Sequence, residues 1–426
     1  MRFVGVIAEY NPFHNGHAWQ LARLRAAGAQ TIAVALSSGA VQRGSLPLLP
    51  DRVRAAAAVQ GGADLVFALP APWACAGAEA FARAGVWLLA NAGCDTVAFG
   101  AETPDAELLM TAARTLRSPA YTAALKALLA GEARSFARAR AEAAEQVCPG
   151  RGLQQLLSRP NDNLAVEYCK AILEFAEQGL TLQPYPLPRQ GAGHNDGAEA
   201  LVPAPEGEVR YASASALRQL WSAAGARGLA GFVPPQALER YMAAEQAGQD
   251  TDPRAADLAL LSRLRQLSAA EFARVRGVNE GLEHLLAEKV RSAVTAEGLA
   301  DALTGVRYPR ARMRRLCLDA ALGYTADALP ALPPYLHLLA AHKAARPLLA
   351  GCRLPAGPGL AKLAKANAAC AAVAQAQSRA DALGTLCRAV RPRRGSAIPP
   401  RQRCWSECGT YCERFCFKTR ICERFS

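Results

Sequence analysis

The chain has 426 residues, 51% of them hydrophobic and 20% charged, with a formal net charge of +13. That length and composition supply enough apolar surface for two or three folded domains and exclude a disordered chain. The last 36 residues supply +6 of the net charge; the modest basic excess left over suits a nucleic-acid partner without requiring one.

No run of about 18 apolar residues occurs, so no membrane-spanning helix is expected. The opening MRFVGVIAEYN lacks a basic region, a long apolar stretch and a small-residue cleavage site. It reads as a first strand, and the cytoplasm is the expected location. Of the 13 cysteines, eight are scattered from Cys75 to Cys387 inside apolar patterns, as buried free thiols of a reducing compartment would be.

Four short apolar runs alternate with helical patterns in the first hundred residues: FVGVIA (3–8), TIAVALSS (31–38), ADLVFALP (63–70) and DTVAFG (95–100). Between them the spacing predicts helices at about 17–27, 51–60 and 77–91. Strands without polar alternation, separated by helices, imply a parallel sheet covered on both faces, an α/β architecture of the nucleotide-binding type. From about 105 to 180 the pattern is helical, with Asn161 to Asn163 expected as a loop before AVEYCKAILEFAEQ. A Pro/Gly-rich connection, LQPYPLPRQGAGHNDG, leads to YASASALRQLW, where Ser213 and Ser215 resemble a helix N-cap. From about 233 to 390 nearly everything reads as helical, including YLHLLAAHKAARPLL (335–349). The expected divisions are 1–230, 231–390 and a tail at 391–426.

That tail carries Cys404, Cys408, Cys412, Cys416 and Cys422 in a C-x3-C repeat ending in C-x5-C. This is not the paired C-x2-C spacing of zinc knuckles, and an atypical disordered extension is favoured over a zinc module.

GVIAEYNPFHNGHAWQL (5–21) places His14 and His17 around Gly16, directly after the first strand and at the mouth of the first helix. In parallel α/β sheets ligands bind beyond the carboxyl ends of the strands. The helix N-terminus there offers unpaired N–H groups and a positive dipole end to an anion. Two imidazoles at i and i+3 suit bound phosphates, as attack on the α-phosphate of ATP requires: positioning and charge stabilisation, without a covalent enzyme intermediate. The competing readings are a helix cap with a partly buried polar residue, or a zinc site, for which no third ligand lies close in sequence. Arg43, in SGAVQRG after the second strand, faces the same sheet edge and is assigned to substrate or phosphate contact. Arg307, Arg310, Arg312, Arg314 and Arg315 form the densest basic cluster before the tail, either a nucleic-acid backbone contact or a solvated helix face.

His14-Asn15-Gly16-His17 matches the HxGH motif of the nucleotidyltransferase superfamily. EYNPFHNGH (9–17), SSGAVQRGSLPLL (37–49), FGAE (99–102), RPNDNLAVEYCKAI (159–172) and RYPRARMRRLCL (307–318) together resemble the bacterial tRNA(Met) cytidine acetate ligases. The resemblance covers most of residues 1 to about 390 and stops before the tail. It implies a Rossmann-like nucleotidyltransferase domain followed by an all-helical C-terminal region that helps hold tRNA. It also implies an enzyme that activates acetate with ATP as acetyl-adenylate, releases pyrophosphate and acetylates N4 of the wobble cytidine of elongator tRNA(Met). This family does not use acetyl-CoA, magnesium is expected to accompany ATP, and neither a metal-binding residue nor a protein partner is implied.

Carried over by position, His14 and His17 are the catalytic pair on the phosphates. Ile7 to Gln20, including Asn11 and Gly16, form the first part of the ATP site, joined by Gly100, Asn161 and Arg189. The arginines at 307–315 fall to tRNA. Departures from the family pattern are Arg52 for a usual lysine, Trp19 for a smaller or more polar residue, and Gly305-Val306 for Thr-Lys. Two other functions compete: an adenylyltransferase of the same fold acting on another small acceptor, or a non-catalytic RNA-binding protein on this scaffold. The length of the helical region argues against the first, and the intact histidine motif against the second.

Overall fold

A computed structural model describes residues 1–130, 135–188, 209–279, 281–305 and 308–389. The four expected strands form at Phe3–Ala8 (β1), Thr31–Ser37 (β2), Leu65–Leu69 (β3) and Thr96–Ala101 (β4), with Gln183–Pro188 as β5. The first helix, α1, spans Asn15–Ala26 and the second, α2, Asp51–Gln60. All these strands pair in parallel, in the order β5-β4-β1-β2-β3.

The reason for the continuous apolar runs is visible in the layering. Helices Ala78–Asn91 and Pro160–Ala176 pack one face of the sheet, while α1 and α2 lie on the other, with Pro235–Gln246 packed against α2. Strand residues such as Val4, Val34 and Val66 are therefore fully buried. The approach is close at Gly5 of β1, where a Cβ would fall 2.6 Å from Leu89 Cδ1; only a glycine lets that helix lie so near the sheet.

The helical reading of YLHLLAAHKAARPLL is corrected. Leu336–Ala341 is a strand, β6, antiparallel to β3 with Leu65 opposite Ala341, and Ala356–Gly357 (β7) adds parallel to β6. All six β6 residues are buried, and a short apolar run between helical segments has no periodicity to reveal which structure it takes. Residues from the 231–390 segment thus complete the sheet of the first segment, which has seven strands among the described residues. The rest of that segment is helical around a third core cluster, formed mainly by helices Pro253–Arg265, Leu282–Ser292, Ala296–Leu303, Arg310–Leu322 and Ala368–Leu386. Among the described residues no helix is long and apolar enough to cross a membrane. The tail cysteines lie outside the described residues; six of the other eight are buried and all eight are free thiols.

At the carboxyl edge of the sheet, where β1 and β2 leave it, the chain needs donors for backbone carbonyls that water does not reach. Arg54 of α2, 0% exposed, supplies them. Its Nη1 donates to the Glu9 carbonyl (2.5 Å), Nη2 to Ser37 (2.8 Å) and Nε to Leu49 (2.9 Å). Burial pushes this guanidinium below its ordinary pKa, and the nearby carboxylates of Asp51 and Glu9 oppose that shift. Replacing Arg54 by methionine keeps much of the volume but leaves two buried carbonyls and one half-buried carbonyl without these donors. Each such loss costs about 1–3 kcal/mol, so Arg54→Met is expected to lower the unfolding free energy by about 3 kcal/mol or more in urea titration. A change under about 1 kcal/mol would show that the carbonyls find other partners.

Candidate active site

The turn after β1 carries the chain into α1. Tyr10 sits there in the left-handed region at φ 44°, buried, with its ring edge-on to Phe13 at 4.9 Å. This packing holds a conformation a free chain would rarely adopt. His14 then caps α1. Its Nδ1 accepts the Gly16 N–H (3.1 Å), while Nδ1 of His17 accepts the His14 N–H (3.2 Å). The two side chains form a reciprocal capping box, a job usually given to Ser and Glu. Their rings stack at 3.7 Å between centroids and 26° between planes. The cap reading and the phosphate reading are therefore compatible. A ring nitrogen that accepts an N–H bond carries no proton, so each neutral imidazole holds its proton on Nε2. The helix start thus offers two Nε2–H donors beside its positive dipole end.

Asn15 anchors this arrangement from behind: its Nδ2 donates to the carbonyls of Arg210 (2.9 Å) and Gly231 (2.7 Å), and its N–H to Phe232 (2.9 Å). Across the site, Phe99 and Gly100 near the end of β4 line the cavity, and Glu102 accepts bonds from the Asn161 side chain and from the Asp162 N–H (2.8 Å). Burial alone would raise the Glu102 pKa, but these bonds outweigh it and hold the carboxyl below its usual range. The loop expected at Asn161–Asn163 is corrected: these residues form the first turn of helix Pro160–Ala176. Pro160 is its first residue, a position where the missing N–H costs nothing.

These elements enclose a cavity of about 340 Å³ at the carboxyl edge of the sheet. His14, Gly16, His17 and Gln20 line it from α1, Ile7 and Asn11 from the end of β1, and Arg43, Gly100 and Asn161 from the other elements. Asn11 also has a structural duty, since its Oδ1 accepts the Leu48 N–H at 2.8 Å. Arg189 and Arg307 lie outside the described residues.

The other arginines of the basic cluster sit on helix Arg310–Leu322 and do not line the cavity. Arg310 pairs with Glu297 (2.9 Å) and Asp301 (2.5 Å), and Arg314 also pairs with Glu297. Arg312 donates to the Gly277 carbonyl (3.1 Å) and lies over the Tyr308 ring. Arg315 turns toward the site and donates to the Gln42 carbonyl (3.3 Å). Among the described residues no group of three or more His, Cys, Asp or Glu side chains is arranged to hold a metal ion.

The HIGH nucleotidyl transferase family model matches residues 1–395. A tRNA(Met) cytidine acetate ligase of Latilactobacillus sakei subsp. sakei is 33% identical over 323 residues, 76% of this chain and 77% of that protein. Another, from Syntrophotalea carbinolica, is 32% identical over 366 residues, 83% of each chain. The crystal structure of Thermotoga maritima TmcAL bound with alpha-thio ATP superposes with a TM-score of 0.74 at 26% identity, covering 84% of this chain and 85% of that one. The chain belongs to the tRNA(Met) cytidine acetate ligase family of HIGH nucleotidyl transferases.

Placed within that ligase family, the cavity contains functional groups that reading the sequence had not singled out. Arg218, on helix Ala214–Ala224, lines the cavity and donates from Nη1 to the Asn11 carbonyl (2.9 Å) and from Nη2 to Ser215 Oγ (3.1 Å). Burial lowers its pKa, and Glu9, also at the cavity, opposes the shift. Ser213 is the N-cap of that helix, as expected, accepting the Ala216 N–H at 3.2 Å. The signal for Arg218 was available: it stands three residues after Ser215, on the same helix face.

The double duty of the histidines is open to a stability test. His17→Ala removes an acceptor of the capping box and is expected to cost about 1 kcal/mol in thermal or chemical unfolding. His17→Asn, whose Oδ1 occupies the position of Nδ1, is expected to recover most of that loss. Equal destabilisation by the two variants would contradict the cap.

Proposed function

We propose that this chain ligates acetate to N4 of the wobble cytidine of elongator tRNA(Met), using ATP and forming acetyl-adenylate. The observation that carries the reading is the paired Nε2–H donors of His14 and His17 in one cavity with Arg43 and Arg218, in a chain of this family. An acetate oxygen attacks the α-phosphorus of ATP, the bond to the bridging oxygen breaks, and pyrophosphate leaves. The cytidine N4 then attacks the acetyl carbonyl, losing a proton, and AMP departs. No covalent bond to the protein forms.

The histidines donate to phosphate oxygens where charge accumulates in the first step, and Arg218, held by the Asn11 carbonyl and Ser215, adds a positive charge. Asn161, held by Glu102, and Gly100 contact the nucleotide; Arg189 adds a cation to the ATP site, and magnesium arrives with ATP as part of the substrate. The helices of the 231–390 segment form the platform for tRNA, with Arg307, Arg310, Arg312 and Arg314, but not Arg315, reaching its backbone and Tyr308 available to stack on a base. Acetyl-CoA plays no part, and the reaction takes place in the cytoplasm.

ATP–pyrophosphate exchange with and without acetate, in the absence of tRNA, tests this directly. Acetate-dependent exchange is the expected result. Exchange driven equally by other small acceptors would favour a different adenylyltransferase, and silence with and without elongator tRNA(Met) would overturn the reading. In the same assay His17→Asn, which keeps the cap but lacks the Nε2–H donor, is expected to lose about 10²-fold or more, as for removal of one transition-state donor. Near wild-type exchange by His17→Asn would remove the histidine pair from the phosphates.

A further inference from the structure

The arginines of helix Arg310–Leu322 do not share one environment. Arg310 and Arg314 are tied to carboxylates of helix Ala296–Leu303. Arg315 instead points back toward the sheet, and among the described residues the Gln42 carbonyl is its hydrogen-bond acceptor.

Gln42 opens a tight turn closed by the Val41 N–H to the Ser45 carbonyl (3.0 Å) and the Gly44 N–H to the Val41 carbonyl (2.9 Å). Arg43 stands between Gln42 and Gly44 and faces the cavity. The peptide groups of Gln42 are gripped from two sides: its N–H donates to Glu9 Oε1 (2.8 Å) at the end of β1, and its carbonyl accepts from Arg315 Nη1. Gly44, at φ 80°, lies directly against the arginine helix. A Cβ there would sit 2.5 Å from the Arg315 nitrogen and 2.7 Å from the Arg314 carbonyl carbon, so turn and helix backbone meet without intervening side chain.

We propose that Arg315 is a positioning residue for the adenylation step, fixing the Gln42–Gly44 turn that presents Arg43 to the cavity, so that the helical segment builds part of the ATP site. The proposal rests on the adenylation reading above and deepens it. Its consequence is specific: a residue outside the cavity, in the segment assigned to tRNA, governs a reaction that contains no tRNA. Displacement of a charged donor by about 1 Å is enough to lower a rate by an order of magnitude or more.

The test is acetate-dependent ATP–pyrophosphate exchange without tRNA, comparing wild type, Arg43→Ala, Arg315→Ala, the double variant and Arg315→Lys. Arg291→Ala, at an exposed arginine on helix Leu282–Ser292, is the control for charge alone. Arg315→Ala is expected to lose about tenfold in kcat, and the double variant to be no slower than Arg43→Ala, because residues acting through one group are not additive. Arg315→Lys is expected to regain part of the loss by donating to the same carbonyl, and Arg291→Ala to stay within about twofold of wild type. Should Arg315→Ala fail to fold, judged by circular dichroism, Arg315→Lys and the Arg43→Ala/Arg315→Lys pair give the same comparison. Unchanged exchange in a folded Arg315 variant, or losses that multiply in the double variant, would overturn the proposal. If wild type itself showed no exchange with acetate, with or without elongator tRNA(Met), the ligase reading would fail separately, and affinity for alpha-thio ATP would decide this inference. Weaker binding by both single variants with no further loss in the double would uphold it, and unaltered binding by Arg315→Ala would end it.

Discussion

The whole carboxyl edge of the sheet depends on one buried guanidinium. Where β1 and β2 end, the chain turns away to form loops, and the carbonyls of Glu9, Ser37 and Leu49 are left to Arg54. Everything at the site follows from those ends. The end of β1 leads within a few residues to the histidine cap, the Glu9 side chain grips the Gln42 turn, and the end of β2 leads to Arg43. A rigid edge lets two short loops hold charged groups in fixed places, which loops alone would not do.

On that edge the histidines combine two tasks that ordinarily belong to different residues. A Ser or Asp cap satisfies the helix N–H groups, but its remaining hydrogen-bonding capacity stays close to the helix end. An imidazole has a second ring nitrogen on its far side. Using Nδ1 for the helix fixes the tautomer and aims Nε2–H outward, so the same bonds that start α1 also prepare the donors. Asn15, between them in the motif, pins the helix start to the chain at Arg210, Gly231 and Phe232, which explains why a polar residue with two donors stands there.

Much of this was legible in the sequence, for definable reasons. Strands buried on both faces are written as unbroken apolar runs, and β1 to β4 were found within a residue or two. The HxGH motif after β1 located the site because sheet topology fixes where ligands bind. Nine of the cavity-lining residues were named from motif and position. The failures have physical causes as well. Leu336–Ala341 has the length and composition of a buried helix turn, and only its neighbour β3 decides that it is a strand. Pro160-Asn161 looks like a loop, yet proline suits the first turn of a helix. The arginine cluster looked uniform because its counter-charges, Glu297 and Asp301, lie on a separate helix and pair only once both helices pack. For Arg218 the sequence shows only its place one helical turn after Ser215; the bond to the Asn11 carbonyl that sets it at the cavity is long-range and leaves no local pattern.

The central claim is that His14 and His17 each spend Nδ1 on the helix and present Nε2–H to bound phosphates. NMR of histidine ring nitrogens, on isotope-labelled protein with and without alpha-thio ATP, tests it most directly, since the chain has only six histidines to assign. The account predicts an unprotonated Nδ1 and a protonated Nε2 for both residues in the free protein, with the Nε2–H signals of this pair shifting when the nucleotide binds. A proton on Nδ1 of either ring, or Nε2–H signals unmoved by saturating nucleotide, would contradict it.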